Sequence, residues 1–311
     1  MHPLPPCWCG GATEAFSAEY ARCRACRTLV CRCAPPPGDP ARADALYGRE
    51  YWFSHQRESY GLGDIVARSR ADLGERNVFW LNQLLNLRLP PGKALEIGAA
   101  HGGFVHLMRQ VGFDAQGLEL SPDICQFAAD TFGVPMLCGP VETQTIAPGS
   151  LDVIALMDVL EHLPDPLGTM RHCARLLKPD GLLLIQTPRY PAGKSFAELA
   201  ATQDKFLIHL NPHEHTFLFG KDAVSKLLAA AGLPHVEFFP AIFAFYDMFL
   251  AASVSPIPTV ARTQRDQWLT ATPQRRTIAA LLDAEERFRS MLTKYRELRA
   301  WYGNGEAAYA A

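Results

Sequence analysis

The stretch Lys93 to Phe104, KALEIGAAHGGF, decides how this chain is read. Ala94-Leu95-Glu96-Ile97 has the content of a short buried strand, and the small residues Gly98-Ala99-Ala100-His101-Gly102-Gly103 follow at once. Val105, Leu107, Met108 and Val111 then continue as a helix pattern. Small residues where a buried strand turns into a helix let the backbone come close to a ligand. The next apolar segment, Gly117-Leu118-Glu119-Leu120, carries an acid near its end, where a carboxylate can accept hydrogen bonds from ribose hydroxyls. Together they imply an adenosine-containing cofactor across two strand ends. The plain alternative is a tight strand-to-helix turn in any parallel sheet.

Downstream, strand and helix patterns alternate. Strands are expected at 93–98, 115–120, 134–137, 152–157 and 182–186, and helices at 122–131 (with Ser121 as N-cap) and 166–177, the latter stopped by Lys178-Pro179-Asp180-Gly181. A helix at 221–231 and closing strands at 236–239 and 243–252 complete the pattern. This alternation predicts a doubly wound α/β fold with ligands at the carboxyl ends of the strands.

Glu96-x-Gly98-x-x-x-Gly102 followed by Glu119 resembles the first two motifs of class I S-adenosylmethionine-dependent methyltransferases, with Ala100 where that family usually has a third glycine. The same alanine breaks the G-x-G-x-x-G fingerprint of nicotinamide enzymes. The segment from Asp152 to Leu163, DVIALMDVLEHL, resembles the fourth motif of small-molecule methyltransferases, and 176–187 the segment that follows it. The resemblance covers most of residues 44–255. It implies a Rossmann-like, doubly wound seven-stranded sheet whose last strand is antiparallel. It implies S-adenosyl-L-methionine as cofactor, held around Glu96, Gly98, Ala100, His101, Gly102, Glu119, Leu120, Val141, Glu142, Met157 and Asp158. The acceptor it implies is a small molecule, a sugar or secondary-metabolite scaffold methylated at oxygen.

Six of the nine cysteines lie between Cys7 and Cys33. Cys7-x-Cys9-Gly10-Gly11 and Cys23-x-x-Cys26 suit four-thiolate Zn2+ coordination, with Cys31 and Cys33 as rival ligands. The layout is similar to the zinc-ribbon-like head that precedes some methyltransferase domains. Such a unit is too small to hold a core alone, so metal would supply folding energy, and four thiolates leave no open position for catalysis.

The expected division is a cysteine head at 1–40, a helical lid at 41–90 with the aromatics Tyr47, Tyr51, Trp52 and Phe53, interrupted at Gly61-Leu62-Gly63, the core at 91–255 and a helical extension at 256–311. In the extension, 275–302 reads as one helix with an apolar stripe that packs back on the domain or joins a second copy in a homodimer, followed by a frayed tail from Gly303. The connection 188–220 reads as mostly irregular and lid-like.

Proton removal from a hydroxyl at neutral pH suits histidine. His162, after the fourth core strand, and His215, in the connection, are the candidates, with Glu161 beside them; helix capping or loop bonding is the bland reading of each. Asp158-x-x-Glu161-His162 also resembles a divalent-ion element of quinone-ring O-methyltransferases, ranked below plain base catalysis.

Lys plus Arg number 30 against 32 Asp plus Glu, which gives no support to nucleic-acid binding as the main task. No apolar run reaches membrane-spanning length and no leader pattern is visible, so a cytoplasmic protein is expected. The rival functions are a non-enzymatic binding or scaffold protein on this fold and a nicotinamide oxidoreductase.

Overall fold

The computed structural model describes residues 6–33, 48–55 and 63–309. Tyr47 and the Gly61-Leu62 break lie outside the described residues. The sheet strands are β1 (Thr13–Ala15), β2 (Tyr20–Cys23), β3 (Leu29–Cys31), β4 (Lys93–Ile97), β5 (Asp114–Glu119), β6 (Met136–Cys138), β7 (Leu151–Met157), β8 (Leu177–Pro188), β9 (Phe217–Leu218), β10 (His235–Phe239) and β11 (Asp247–Ser253). Among the described residues the main sheet has seven strands in the order β10-β11-β8-β7-β4-β5-β6. Strand β11 is antiparallel to both its neighbours, and the pairs from β8 through β6 are parallel. This is the doubly wound, Rossmann-like sheet expected from the sequence.

Every residue of β7 is buried, as a strand covered on both faces requires. Alternate side chains feed two cores. Leu95, Ile97, Ile154, Leu156 and Ile185 point to one, which also contains Leu227 and Leu228 of a later helix. Ala94, Val153, Ala155 and Leu184 point to the other, against Leu81, Leu84, Phe104 and Met108.

Helices among the described residues include α1 (Ile65–Asp72), α2 (Val78–Leu87), α3 (Gly103–Val111), α4 (Pro122–Phe132), α5 (Pro166–Leu176), α6 (Phe196–Ala201), α7 (Lys221–Ala230), α8 (Arg262–Thr270) and α9 (Pro273–Tyr309). Between α1 and α2 the chain makes a π-turn, Leu73–Asn77, which inserts residues into the helical path and carries Arg76 and Asn77 to the cleft.

Several local expectations are corrected. Connection 188–220 is structured: α6 starts with a capping box between Ser195 and Glu198, a 3-10 turn covers Lys205–His209, and β9 follows. The last strand begins at Asp247 rather than Phe243, because Phe243, Phe245 and Tyr246 pack on one another in a turn. Strand β8 already starts at Leu177; its register with β7 jumps from Leu151↔Leu177 to Val153↔Leu182, so Lys178–Gly181 bulges out of the sheet. Ser121 stands at the N-cap of α4 and Pro122 opens the helix, as expected, but the serine side chain makes no capping hydrogen bond.

The extension also contains α8, which was not anticipated, and α9 continues to Tyr309 in place of a tail frayed from Gly303. Ile278 and Leu282 of α9 are buried in the second core. Phe288, Met291, Tyr295 and Leu298 are exposed.

In the head, β1, β2 and β3 are antiparallel, and their sheet is completed by β9 from the core. Among the described residues no helix is long and apolar enough to cross a membrane.

Candidate active site and four-cysteine cluster

A cavity of about 1060 Å³ opens at the carboxyl ends of β4, β5, β7 and β8. All eleven cofactor candidates except Gly102 line it. The strand-to-helix turn is built for close approach. Gly98 takes φ 72°, and a Cβ there would lie 2.5 Å from Val159 Cγ2. Gly102, at φ 81°, is the N-cap of α3 and packs below the turn against Val134 and Ala128. Ala100 also adopts a left-handed conformation, φ 46°, at a cost of about 1 kcal/mol for an L side chain. Its N–H donates to Glu119 Oε2 at 3.1 Å, while Leu120 N–H donates to Glu119 Oε1 at 2.7 Å. The carboxylate therefore clamps the turn that the alanine strains. Burial pushes its pKa up, against the pull of those two donors.

His101 has a turn-holding role. Its Nδ1 accepts from Gly103 N–H at 3.1 Å, so Nε2 carries the proton and donates to Asp72 Oδ2 at 3.1 Å. Burial opposes the charge on Asp72, but this bond and Arg68 outweigh it and hold the carboxyl below its ordinary range. Glu96 is 3% exposed, and burial drives its pKa well up. Val141 and Glu142 form the wall beyond β6; Glu142 accepts from the Thr169 hydroxyl.

Asp158, which also lines the cavity, has φ 59°. Arg76 Nη1 stands 3.0 Å from its Oδ2, and Gln186 Nε2 donates to its Oδ1 at 3.1 Å. Gln186 is held in turn by Trp80 Nε1 at 2.9 Å. Asp247 is buried close by and is pushed up to about 9, by burial first and then by Asp158 and Glu161. Glu161, 1% exposed, is pushed up to about 8 by burial and by Asp158, and it accepts from the Thr187 hydroxyl at 2.9 Å.

Both candidate histidines stand beside Glu161. One ring nitrogen of His162, one of His215 and a Glu161 oxygen lie within 4.8 Å of one another, and Asp158 is not part of that group. His162 Nδ1 is 2.9 Å from Glu214 O, and His215 Nδ1 is 2.7 Å from His209 O. A carbonyl can only accept, so each ring carries its proton on Nδ1 and presents Nε2 as the basic nitrogen. Burial lowers the pKa of His215, so the ring is neutral at physiological pH. The His162 and His215 rings are 5.0 Å apart, and His209 extends the row at 5.8 Å from His215.

Among the described residues, seven buried side-chain polar atoms lack a partner. Five of them, Trp52 Nε1, Asn77 Oδ1, Glu96 Oε2, His172 Nε2 and His209 Nε2, belong to residues lining this cavity. Leaving such groups unpaired costs roughly 1–3 kcal/mol each, so a polar ligand is the natural complement of this wall.

In the head, Cys7, Cys9, Cys23 and Cys26 converge, with Sγ separations of 3.5 Å for Cys7–Cys26, Cys9–Cys23 and Cys9–Cys26. A tetrahedral ion with Zn–S bonds of about 2.3 Å needs sulfur–sulfur edges of roughly 3.8 Å, so the donor set fits Zn2+ closely. Cys31 lies apart, its Sγ directed at Pro212 O, and Cys33 is exposed.

Sequence reading missed Arg76, Gln186, Asp247 and Trp80. Sheet register brings in two of them, Gln186 pairing with Met157 and Asp247 with Pro188, while Arg76 stands on the π-turn and Trp80 on α2. The one available signal was Asp247, an acid inside an otherwise apolar run.

A family model described as a methyltransferase domain matches residues 69–237. The ubiquinone biosynthesis O-methyltransferase of Xanthomonas campestris pv. campestris (strain B100) is 31% identical over 156 residues, 48% of this chain and 63% of that protein. That of Methylococcus capsulatus is 32% identical over 101 residues, 30% of this chain and 43% of that protein. The chain thus spans less than two thirds of the length of these relatives. A solved structure of Haemonchus contortus phosphoethanolamine N-methyltransferase 2 superposes with a TM-score of 0.51 at 14% identity, covering 69% of this chain and 60% of that one. That likeness concerns the fold.

Proposed function

The chain belongs to the methyltransferase-domain family, and from that premise we propose that it transfers a methyl group from S-adenosyl-L-methionine to oxygen of a small hydroxylated acceptor, a sugar or secondary-metabolite scaffold. The cofactor supplies the activated methyl. The residues of the chain bind, orient and move a proton. Glu119 receives the ribose hydroxyls, the Gly98–Gly102 turn admits the amino-acid portion beside Glu96, and Val141 and Glu142 border the adenine.

His215 is the general base. Its Nδ1–H is fixed on His209 O, so Nε2 is left to take the acceptor's proton, and burial keeps the ring neutral for the task. Glu161, held protonated by the same burial, offers a hydrogen-bond donor beside the reacting oxygen. His162 orients the acceptor. The head holds one structural Zn2+ on Cys7, Cys9, Cys23 and Cys26.

The observation that carries this reading is the convergence of His162, His215 and Glu161 on the same cavity that the Glu119-clamped turn lines. The test is single-turnover methyl transfer to a panel of hydroxylated sugars and phenols. His215→Asn should lower the rate by about 100-fold or more while S-adenosylhomocysteine affinity stays within about threefold, and His162→Asn should lower it by less than about tenfold. A His215→Asn variant with full rate on an accepted substrate would contradict the assignment.

A further inference from the structure

The loop that carries His215 is held from two sides. On the inner side it grips the site: Thr216 N–H donates to Glu161 O at 2.8 Å, and Glu214 O receives His162 Nδ1–H at 2.9 Å. The loop thereby sets the tautomer of one histidine and carries the other. On the outer side the head grips the loop. The Tyr20 hydroxyl donates to His215 O at 2.9 Å, Cys31 N–H donates to Thr216 O at 2.9 Å, and Cys31 Sγ lies 3.5 Å from Pro212 O. Strand β3 then pairs with β9, Leu29 with Leu218 and Val30 with Phe217.

Strand β9 has two residues, too few to hold a place in a sheet by its own contacts. Its other backbone tie is at Phe219, which bridges Arg189 and accepts from Tyr190 N–H at 2.8 Å. Tyr20 is fully buried with Leu29, Tyr190, Phe206 and Leu218. Cys7, Cys23, Cys26 and Val30 share their core with Phe217 and Phe219. The metal-binding end of the head thus belongs to the same core as the segment that follows His215, and β3 joins the two directly through Val30 and Phe217.

We propose that the four-cysteine head is the seat of the histidine loop, and that Tyr20 is a positioning residue for His215, acting through the carbonyl of that residue. This rests on the reading of His215 as the base. The head orders the last part of the active site, and loss of its metal loosens that part before it loosens the sheet.

The test uses the full chain. Backbone hydrogen exchange, read by mass spectrometry, is compared with Zn2+ bound and after chelation. Exchange in peptides spanning 211–219 should rise by about tenfold or more, and β4, β5 and β7 should stay within about twofold. In Zn2+-loaded Tyr20→Phe, which keeps the ring and removes the hydroxyl, the His215 ring nitrogens should shift or broaden in histidine-labelled NMR spectra while His101 stays in place. Unchanged protection of 211–219 after chelation would overturn the proposal. If chelation unfolds the whole chain, Tyr20→Phe decides: an unmoved His215 signal overturns it. Neither readout needs an acceptor or turnover. Failure of the methyl-transfer reading would appear separately, as absent S-adenosylhomocysteine binding in a chain whose loop still answers to the head.

Discussion

Replacing Glu119 by glutamine tests the cofactor clamp most finely. Both carboxylate oxygens already accept a backbone N–H, from Ala100 at 3.1 Å and from Leu120 at 2.7 Å. Glutamine has one oxygen, so its amide nitrogen must face one of those N–H groups, donor against donor. It also offers the ribose one acceptor in place of two. A hydrogen bond to a charged group is worth roughly 1.5–3 kcal/mol, and part of the turn's loss is shared by the free protein. A net loss of about 3 kcal/mol in binding follows, roughly 100-fold in affinity at about 1.4 kcal/mol per tenfold. Alanine, with no acceptor, should exceed about 1000-fold. The assay is calorimetric titration with S-adenosylhomocysteine, with thermal unfolding measured alongside to confirm a folded chain. A Glu119→Gln protein that binds within about threefold of wild type would refute the clamp.

Other outcomes follow from the same geometry. Glu161 has its folded pKa raised to about 8, above an unfolded value near 4.5, so its contribution to stability is complete below about pH 4.5 and is lost as pH rises towards 8. Glu161→Gln keeps an acceptor for Thr187 and never ionises. Its unfolding free energy, from denaturant titration, should match wild type near pH 4.5 and exceed it by about 2 kcal/mol or more near pH 8; parallel pH profiles would count against the buried acid. Metal analysis should give one Zn2+ per chain in wild type, retained in Cys31→Ser and lost in Cys26→Ser; loss in Cys31→Ser would move the ligand set. The exposed stripe Phe288, Met291, Tyr295 and Leu298 on α9 should make the chain self-associate in sedimentation velocity, and Met291→Glu should return it to monomer; a wild-type monomer at about 100 μM would contradict this.

What could be read from the sequence was contiguous in it. Glu96, Gly98, Gly102 and Glu119 sit within two strands and one turn, and the buried run of β7 announces a parallel sheet whatever packs on it. The second glycine-rich position also shows how spacing misleads. Ala100 reads as a departure from the family pattern, yet the backbone keeps its left-handed conformation because Glu119 holds its N–H. The histidine pair was visible as types at suggestive places, but its geometry was not. Whether His162 and His215 meet depends on a loop anchored by a tyrosine 195 residues away in sequence. The Arg76–Asp158–Gln186–Trp80 chain depends on sheet register and on a π-turn that no local pattern marks. Ser195-x-x-Glu198 was a legible capping box in a stretch that reads as irregular, and β9 was illegible because two residues carry no periodicity.

The most direct measurement is calorimetric titration of the purified, Zn2+-loaded chain with S-adenosylhomocysteine, with NADH as comparison. The account predicts saturable one-to-one binding of the former and none of the latter, because Ala100 stands where the dinucleotide fingerprint has the glycine that lets the backbone approach a pyrophosphate, a group that S-adenosylhomocysteine lacks. A folded chain that leaves S-adenosylhomocysteine unbound would contradict the methyltransferase account and favour a binding role for the fold. NADH binding in its place would return the site to nicotinamide chemistry.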